Sequence, residues 1–192
     1  PVFRESTIRS MSQDEDGNIW FTTQRGDLIK YEAGKPLINE SFNLIKAFNG
    51  FAFAHLVDRQ NRVWVGTSDK GVFCLDSRTG KELRHITDSI LSSNKQEKIA
   101  QLNDSIFFFG HDLLNAYNSR SGENKILSYS EGLISNDIHN MQVDLDGFLW
   151  IYTSKGICRY NYFQDSFTHY GPKDGFGLLE ADGYGGTRTA DG

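Results

Sequence analysis

Short apolar runs separated by small polar clusters recur along the chain, and long stretches of helical periodicity are hard to find. Segments 8–13, 18–23, 27–32 and roughly 37–41 read as four strands joined by tight turns, and 138–143, 148–153, 157–161 and 166–170 read the same way. The best helical candidate, 93–102, is short and polar and reads equally well as a loop.

The runs are organised by a repeat. Asp14-Glu-Asp-Gly-Asn-Ile-Trp20, Asp58-Arg-Gln-Asn-Arg-Val-Trp64 and Asp144-Leu-Asp-Gly-Phe-Leu-Trp150 each set an Asp six residues before a Trp and a Thr three after it. A polar turn, a Gly (Gly26, Gly71, Gly156) and an apolar run follow each time. Trp20 to Trp64 spans 44 residues and Trp64 to Trp150 spans 86, twice 43, so a fourth unit is expected at Phe107, with a shortened turn at Asn103-Asp104. A period of this length with four short strand signals is that of a β-propeller blade.

The fold class expected is therefore all-β, a β-propeller of four blades at about 8–49, 50–94, 95–135 and 136–180, with 181–192 starting a fifth. Asp14, Gly17, Asp58, Asp144 and Gly147 belong to the first hairpin turn of their units, where Gly and Asn tolerate positive φ. Trp20, Trp64, Phe107 and Trp150 are the large rings expected between blades. Asp191-Gly192 reads as the next Asp-Gly turn, so the chain is expected to be a fragment of a longer propeller. It could close alone, remain an open arc or pair with a second copy.

Composition narrows the function classes. Twenty Lys and Arg against 25 Asp and Glu leave a net charge of −5, which argues against direct nucleic-acid binding. Aromatic residues make up 13%, too many for a disordered chain. Wholly apolar runs such as 106–109 are far too short to span a bilayer. Two cysteines, Cys74 and Cys158, cannot form a disulfide scaffold; they are expected on strands, free and inert.

The pattern Asp-x-Asp-Gly-x-Ile/Leu-Trp-Ile/Phe-x-Thr-x-x-Gly-Ile/Leu-x-x-Tyr resembles the two-component regulator propeller repeat, most closely in 131–170. Asn61 stands where Gly is usual, and the third unit lacks both Trp and the Asp-Gly turn. The stretch 175–186 resembles the segment that links late blades in such sensors. The resemblance implies a periplasmic sensing region of a bacterial hybrid two-component regulator. Its ligand would often be a carbohydrate, and a β-sandwich, a transmembrane helix, a histidine kinase and a DNA-binding output would usually follow. Membrane attachment would then come only through that downstream helix. The partners implied are a small-molecule or oligosaccharide ligand and either a second copy or the remaining blades.

Candidate chemistry is sparse. Asp14, Asp16 and Asn18 suggest a calcium loop, but Gly17 falls fourth rather than sixth, and the recurrence favours a hairpin turn. No phosphate loop, nucleophile elbow or metal-ligand pair occurs, so no cofactor, no metal and no catalysis are expected. Binding residues are expected at the mouth of the central channel. The inner strands offer Arg9, His55, Gln101, His139 and Asn140, and the turns between second and third strands offer Arg25, Lys70 and Lys155. An ordinary hydrogen-bonded strand role competes for both histidines. Phe42 and Phe48, on an expected long connection at 42–50, and Phe51 directly after it read as a stacking surface or as core closing under the loop. Alternatives to a sensor are a protein-interaction scaffold and a propeller hydrolase or lyase.

Overall fold

The computed structural model describes residues 6–175, which form strands and turns with three single-turn 3-10 segments. The first sheet contains β1 (Ile8–Gln13), β2 (Ile19–Thr23), β3 (Asp27–Tyr31) and β4 (Phe42–Ala47). The second contains β5 (Ala52–Val57), β6 (Arg62–Thr67), β7 (Val72–Asp76) and β8 (Glu82–Ile86). In the third are β9 (Lys98–Gln101), β10 (Ile106–Gly110), β11 (Leu114–Asn118) and β12 (Asn124–Leu127), and in the fourth β13 (Ile138–Val143), β14 (Leu149–Thr153), β15 (Gly156–Asn161) and β16 (Ser166–Tyr170). Each sheet follows sequence order with antiparallel neighbours, the blade of a β-propeller. The expected start of a fifth blade lies outside the described residues.

The chain divides into two compact units, Pro1–Ile99 and Ala100–Gly192. In the first unit, Trp20 and Leu28 of the first blade pack with Val63, Val65, Phe73 and Leu75 of the second, closed by Phe48 and Ala52. In the second unit, Phe108, Leu114 and Ala116 of the third blade pack with Leu149, Ile151, Cys158 and Tyr160 of the fourth. Both cores are therefore sandwiches between adjacent sheets, which is why β6 is buried almost throughout.

One expectation about the first blade is corrected. The fourth strand of the first blade is β4, not 37–41. Pro36 cannot donate a backbone hydrogen bond, and its carbonyl instead accepts from the Ile38 N–H and the Ser41 hydroxyl, building a turn through Asn39–Ser41. The strand begins where Phe42 packs on Tyr31, with ring centroids 5.2 Å apart. The connection expected at 42–50 is thus mostly strand. The segment 93–102 forms no helix among the described residues and enters β9 instead.

The third unit is also out of phase by one residue. Asp14, Asp58 and Asp144 donate their backbone N–H to the carbonyls of Asn18, Arg62 and Phe148, each four residues on and two before a Trp. Leu102 does the same to Ile106, so its turn is not shortened, and Phe108 rather than Phe107 takes the Trp position. Phe108 joins the interblade core, and a one-residue slip turns Phe107 to the opposite face.

Candidate functional site

The repeated Asp does more than close a turn. Trp20 Nε1 donates to Asp14 Oδ2 at 2.9 Å, Trp64 Nε1 to Asp58 Oδ2 at 2.7 Å, and Trp150 Nε1 to Asp144 Oδ2 at 2.7 Å. The six-residue spacing holds a carboxylate under each indole, and at the fully buried Trp20 and Trp64 it satisfies a donor that burial would otherwise orphan. Asp14 also accepts from Asn18 through its backbone and side-chain amides. Burial opposes its ionisation, but the bonds from Trp20 and Asn18 and the charge of Lys30 outweigh that and hold its pKa below the usual carboxylate value. Asp14 is thus committed to the indole and the turn. At the turn position of Gly17 (φ 81°) and Gly147 (φ 83°), Asn61 adopts φ 59°, so the departure from Gly leaves the hairpin unchanged.

The eight residues expected at a binding site fall four to each unit. Arg9, Arg25, His55 and Lys70 are in the first, and Gln101, His139, Asn140 and Lys155 in the second. Several have internal work. Lys70 Nζ donates to the Phe48 and Asn49 carbonyls, tying down the loop before β5. Asn140 Oδ1 accepts from Met141 N at 2.7 Å, and Gln101 Nε2 donates to the Asn103 carbonyl at 3.1 Å. His139 Nε2 lies 3.1 Å from Asp137 Oδ2. The exposed Lys155 ammonium sits 6.0 Å from the Tyr129 ring centroid.

His55 is buried on β5, its Nε2 2.7 Å from Ser12 Oγ on β1 and its Nδ1 without a partner among the described residues. Burial lowers its pKa to about 4, so near neutral pH it is an uncharged link between two inner strands. Both cysteines are free and buried, and desolvation pushes Cys74 up to about 12 and Cys158 up to about 11. Such thiols are poor nucleophiles. Among the described residues no three of His, Cys, Asp and Glu gather in a way that could hold a metal ion.

Arg9 and Arg25 differ from the rest. Arg25 is exposed in the β2–β3 turn, where its backbone N–H donates to Ser6 Oγ at 3.2 Å. It borders a cavity of about 580 Å³ lined by Ser6, Thr7, Gln24, Arg25, Gly50 and Phe51. Gly26 shapes this wall: at φ 83°, a Cβ there would lie 1.7 Å from the Gly50 carbonyl oxygen, so the two turns touch backbone to backbone. Phe51 is 44% exposed, whereas Phe48 is buried at 4% and Phe42 packs on β3. Of the three phenylalanines considered for stacking, only Phe51 faces the cavity.

Behind Phe51, the Phe53 ring makes an edge contact with centroids 5.9 Å apart, and the Arg9 guanidinium lies 5.6 Å over Phe53. Arg9, Phe53 and His139 each sit where the pairing of the first two strands skips a residue. Such bulges re-aim side chains and leave no mark in composition, which is why Phe53 was not anticipated.

Residues 3–25, which enter the first blade and run through its Asp–Trp hairpin, match the family model described as two component regulator propeller. The chain carries a two-component regulator propeller repeat. No curated protein matches this sequence. Among solved structures, it is similar to the extracellular domain of BT3049 from B. thetaiotaomicron, named for a hybrid two-component system. That likeness has a TM-score of 0.70 and 23% identity over 84% of this chain and 23% of that one. The extracellular domain of BT4673 from the same organism superimposes with a TM-score of 0.70 and 20% identity over 85% of this chain and 21% of that one. It is named for a one-component system in that structure and for a hybrid two-component system in another. The chain thus spans about a fifth of the length of these domains. Virginiamycin B lyase from Staphylococcus aureus has a TM-score of 0.64 and 10% identity over 85% of this chain and 55% of that one. At such identities the likeness establishes the propeller fold, which carries unrelated functions.

Proposed function

We propose that this chain is part of the extracytoplasmic sensing propeller of a bacterial two-component regulator, recognising a carbohydrate signal and passing it to a downstream kinase and transcriptional output. The observation that carries this reading is the regulator-propeller repeat at residues 3–25. The similarity to extracellular domains of the BT3049 type supports the compartment. An open loop-face cavity with an exposed ring supports a ligand. The mechanism would be rearrangement rather than chemistry, and to signal, the ligand must bind two states unequally.

The test is a thermal-shift screen of the chain against oligosaccharides from diverse polysaccharides, with apparent mass followed in parallel. A ligand at a hundred times its dissociation constant stabilises by about 2.7 kcal/mol, a readable shift. A reproducible shift with one glycan class is expected. A folded sample that responds to none would move the reading towards a protein-interaction scaffold. Turnover of a glycan would move it to a lyase or hydrolase.

A further inference from the structure

The sequence contains one Asn-Gly pair, Asn49-Gly50, and Gly50 lines the cavity of the first unit. The pair is chemically reactive. An asparagine side chain can close an imide ring on the next backbone nitrogen, and a glycine there has no Cβ to hinder it. Asn49 is exposed and held at φ 52°, a left-handed conformation. Among the described residues neither its side-chain amide nor the Gly50 N–H is engaged in a hydrogen bond. Asn18, Asn103, Asn118 and Asn161, by contrast, use their side-chain amides inside turns. The surroundings of the pair favour reaction. Lys70 Nζ donates to the Asn49 main-chain carbonyl at 3.0 Å. That carbonyl belongs to the same peptide unit as the Gly50 nitrogen, so the ammonium stabilises the negative charge that develops when Gly50 N gives up its proton.

We infer that Asn49-Gly50 is a self-modifying site, at which Lys70 directs the chain to isoaspartate. Gly50 N bonds to the Asn49 side-chain carbonyl carbon, and that carbon's bond to its NH2 group breaks. The Gly50 proton passes through water to the departing group, which leaves as ammonia. Water then adds to the main-chain carbonyl carbon that Lys70 polarises. The bond from that carbon to Gly50 N breaks, and the nitrogen takes back a proton. The backbone now runs through the former side chain, one carbon longer, and the old carbonyl is a carboxylate held by Lys70. One water is consumed and one ammonia released, with no oxidant and no second protein. The longer backbone has no room where it stands. A Cβ on Gly26 would already lie 1.7 Å from the Gly50 carbonyl oxygen, and one on Gly50 would lie 2.8 Å from Asp69 Oδ1. The cavity wall must therefore shift, and it gains a negative charge close to Asp69.

The experiment holds the folded chain at pH 8 and 37 °C and follows the peptide carrying residues 49 and 50 by mass spectrometry, with enzymatic methylation to mark isoaspartate. Conversion of amide to acid is expected at Asn49, faster than at any other asparagine, with isoaspartate the main product. Asn49→Gln and Gly50→Ala should each slow it by about tenfold or more. Lys70→Met should slow it several-fold and raise the share of aspartate, whereas Lys70→Arg, which keeps a charged donor, should hold the parent's product ratio. The aged parent should melt below the fresh one, and aged Asn49→Gln should not. An unchanged Asn49 in the folded chain, while the urea-unfolded chain converts, would overturn the inference, because the fold would then protect the bond. A rate and product ratio unmoved by Lys70→Met would overturn the directing role of the lysine. Loss of ammonia with a covalent link between Lys70 and Asn49 would replace the imide with an isopeptide and overturn it too.

Discussion

Replacing Asp58 with alanine tests whether the Asp–Trp clamp holds the blades. Asp58 Oδ2 accepts from Trp64 Nε1 and from Arg62 Nε, both at 2.7 Å, and Oδ1 accepts from the backbone N–H groups of Gln60 and Arg62 at 2.9 Å. Water can replace the backbone bonds at the turn cheaply. It cannot reach the Trp64 indole, which is fully buried, and an orphaned donor there costs about 1–3 kcal/mol. Arg62 loses its ion pair while its side chain stays only 19% exposed, adding about 1–2 kcal/mol, below the cost of breaking a fully buried pair. The expected total is about 2–5 kcal/mol. At a urea m-value of roughly 2 kcal/mol/M, the unfolding midpoint should fall by about 1–2.5 M. Asp144→Ala is the internal control: Trp150 is partly exposed, so water can take over its N–H, and about 1–2 kcal/mol is expected. Tryptophan fluorescence in urea reads both variants. In an Asp58→Ala and Trp64→Phe cycle, a coupling of about 1–2 kcal/mol should appear, because phenylalanine has no N–H to orphan. A loss below 1 kcal/mol for Asp58→Ala, or one no larger than for Asp144→Ala, would refute the clamp.

The remaining expectations concern titration, backbone and register. Because the folded pKa of His55 is depressed to about 4, the unfolded chain takes up a proton below pH 6.5 that the folded chain refuses. Stability should therefore fall as pH drops from 6.5 and level off near 4, by about 3 kcal/mol in all. His55→Gln should remove that slice of the pH dependence in urea titrations at pH 4–8, and an unchanged profile would contradict the buried neutral imidazole. Gly26→Ala should cost at least 2–3 kcal/mol, since its φ of 83° is strained for alanine and its Cβ meets the Gly50 carbonyl; a thermal melt indistinguishable from the parent would exclude that close approach. Leu102→Asp should be destabilising alone but partly rescued by Phe108→Trp, which restores the clamp in the third blade, with a coupling of about 1–2 kcal/mol. Rescue by Phe107→Trp instead would return the unit to the phase inferred from spacing.

Periodicity alone made the blades legible. A hairpin turn, a large ring and a Gly at fixed offsets are local requirements of each sheet, so they recur in the chain and can be counted, and the four-stranded sheets follow from them. Counting from Trp to Trp averages over whatever lies between, so it could not resolve the one-residue phase that separates Phe107 from Phe108. Only the Leu102-to-Ile106 bond decided that. The Asp–Trp hydrogen bond was visible as a six-residue spacing but was absorbed into turn chemistry, because composition does not say where an indole N–H points.

The candidate site divides the same way. Residue type and approximate position brought Arg9, Arg25, His55 and Lys70 forward, since polar residues on inner strands and loops are what a channel mouth offers. What each side chain does there depends on neighbours from other strands. Ser12 across from His55 makes it a buried link, and the Phe48 and Asn49 carbonyls occupy Lys70. The bulges that carry Arg9 and Phe53, and the contact of Gly26 with Gly50 beside the cavity, exist only once strands are paired. The sequence by itself determined the repeat, the strand order and the residue types available for binding, because those depend on local pattern. Which of those residues meet, which are consumed inside and which cations are left facing a cavity was decided by tertiary structure, because those outcomes depend on partners tens of residues away.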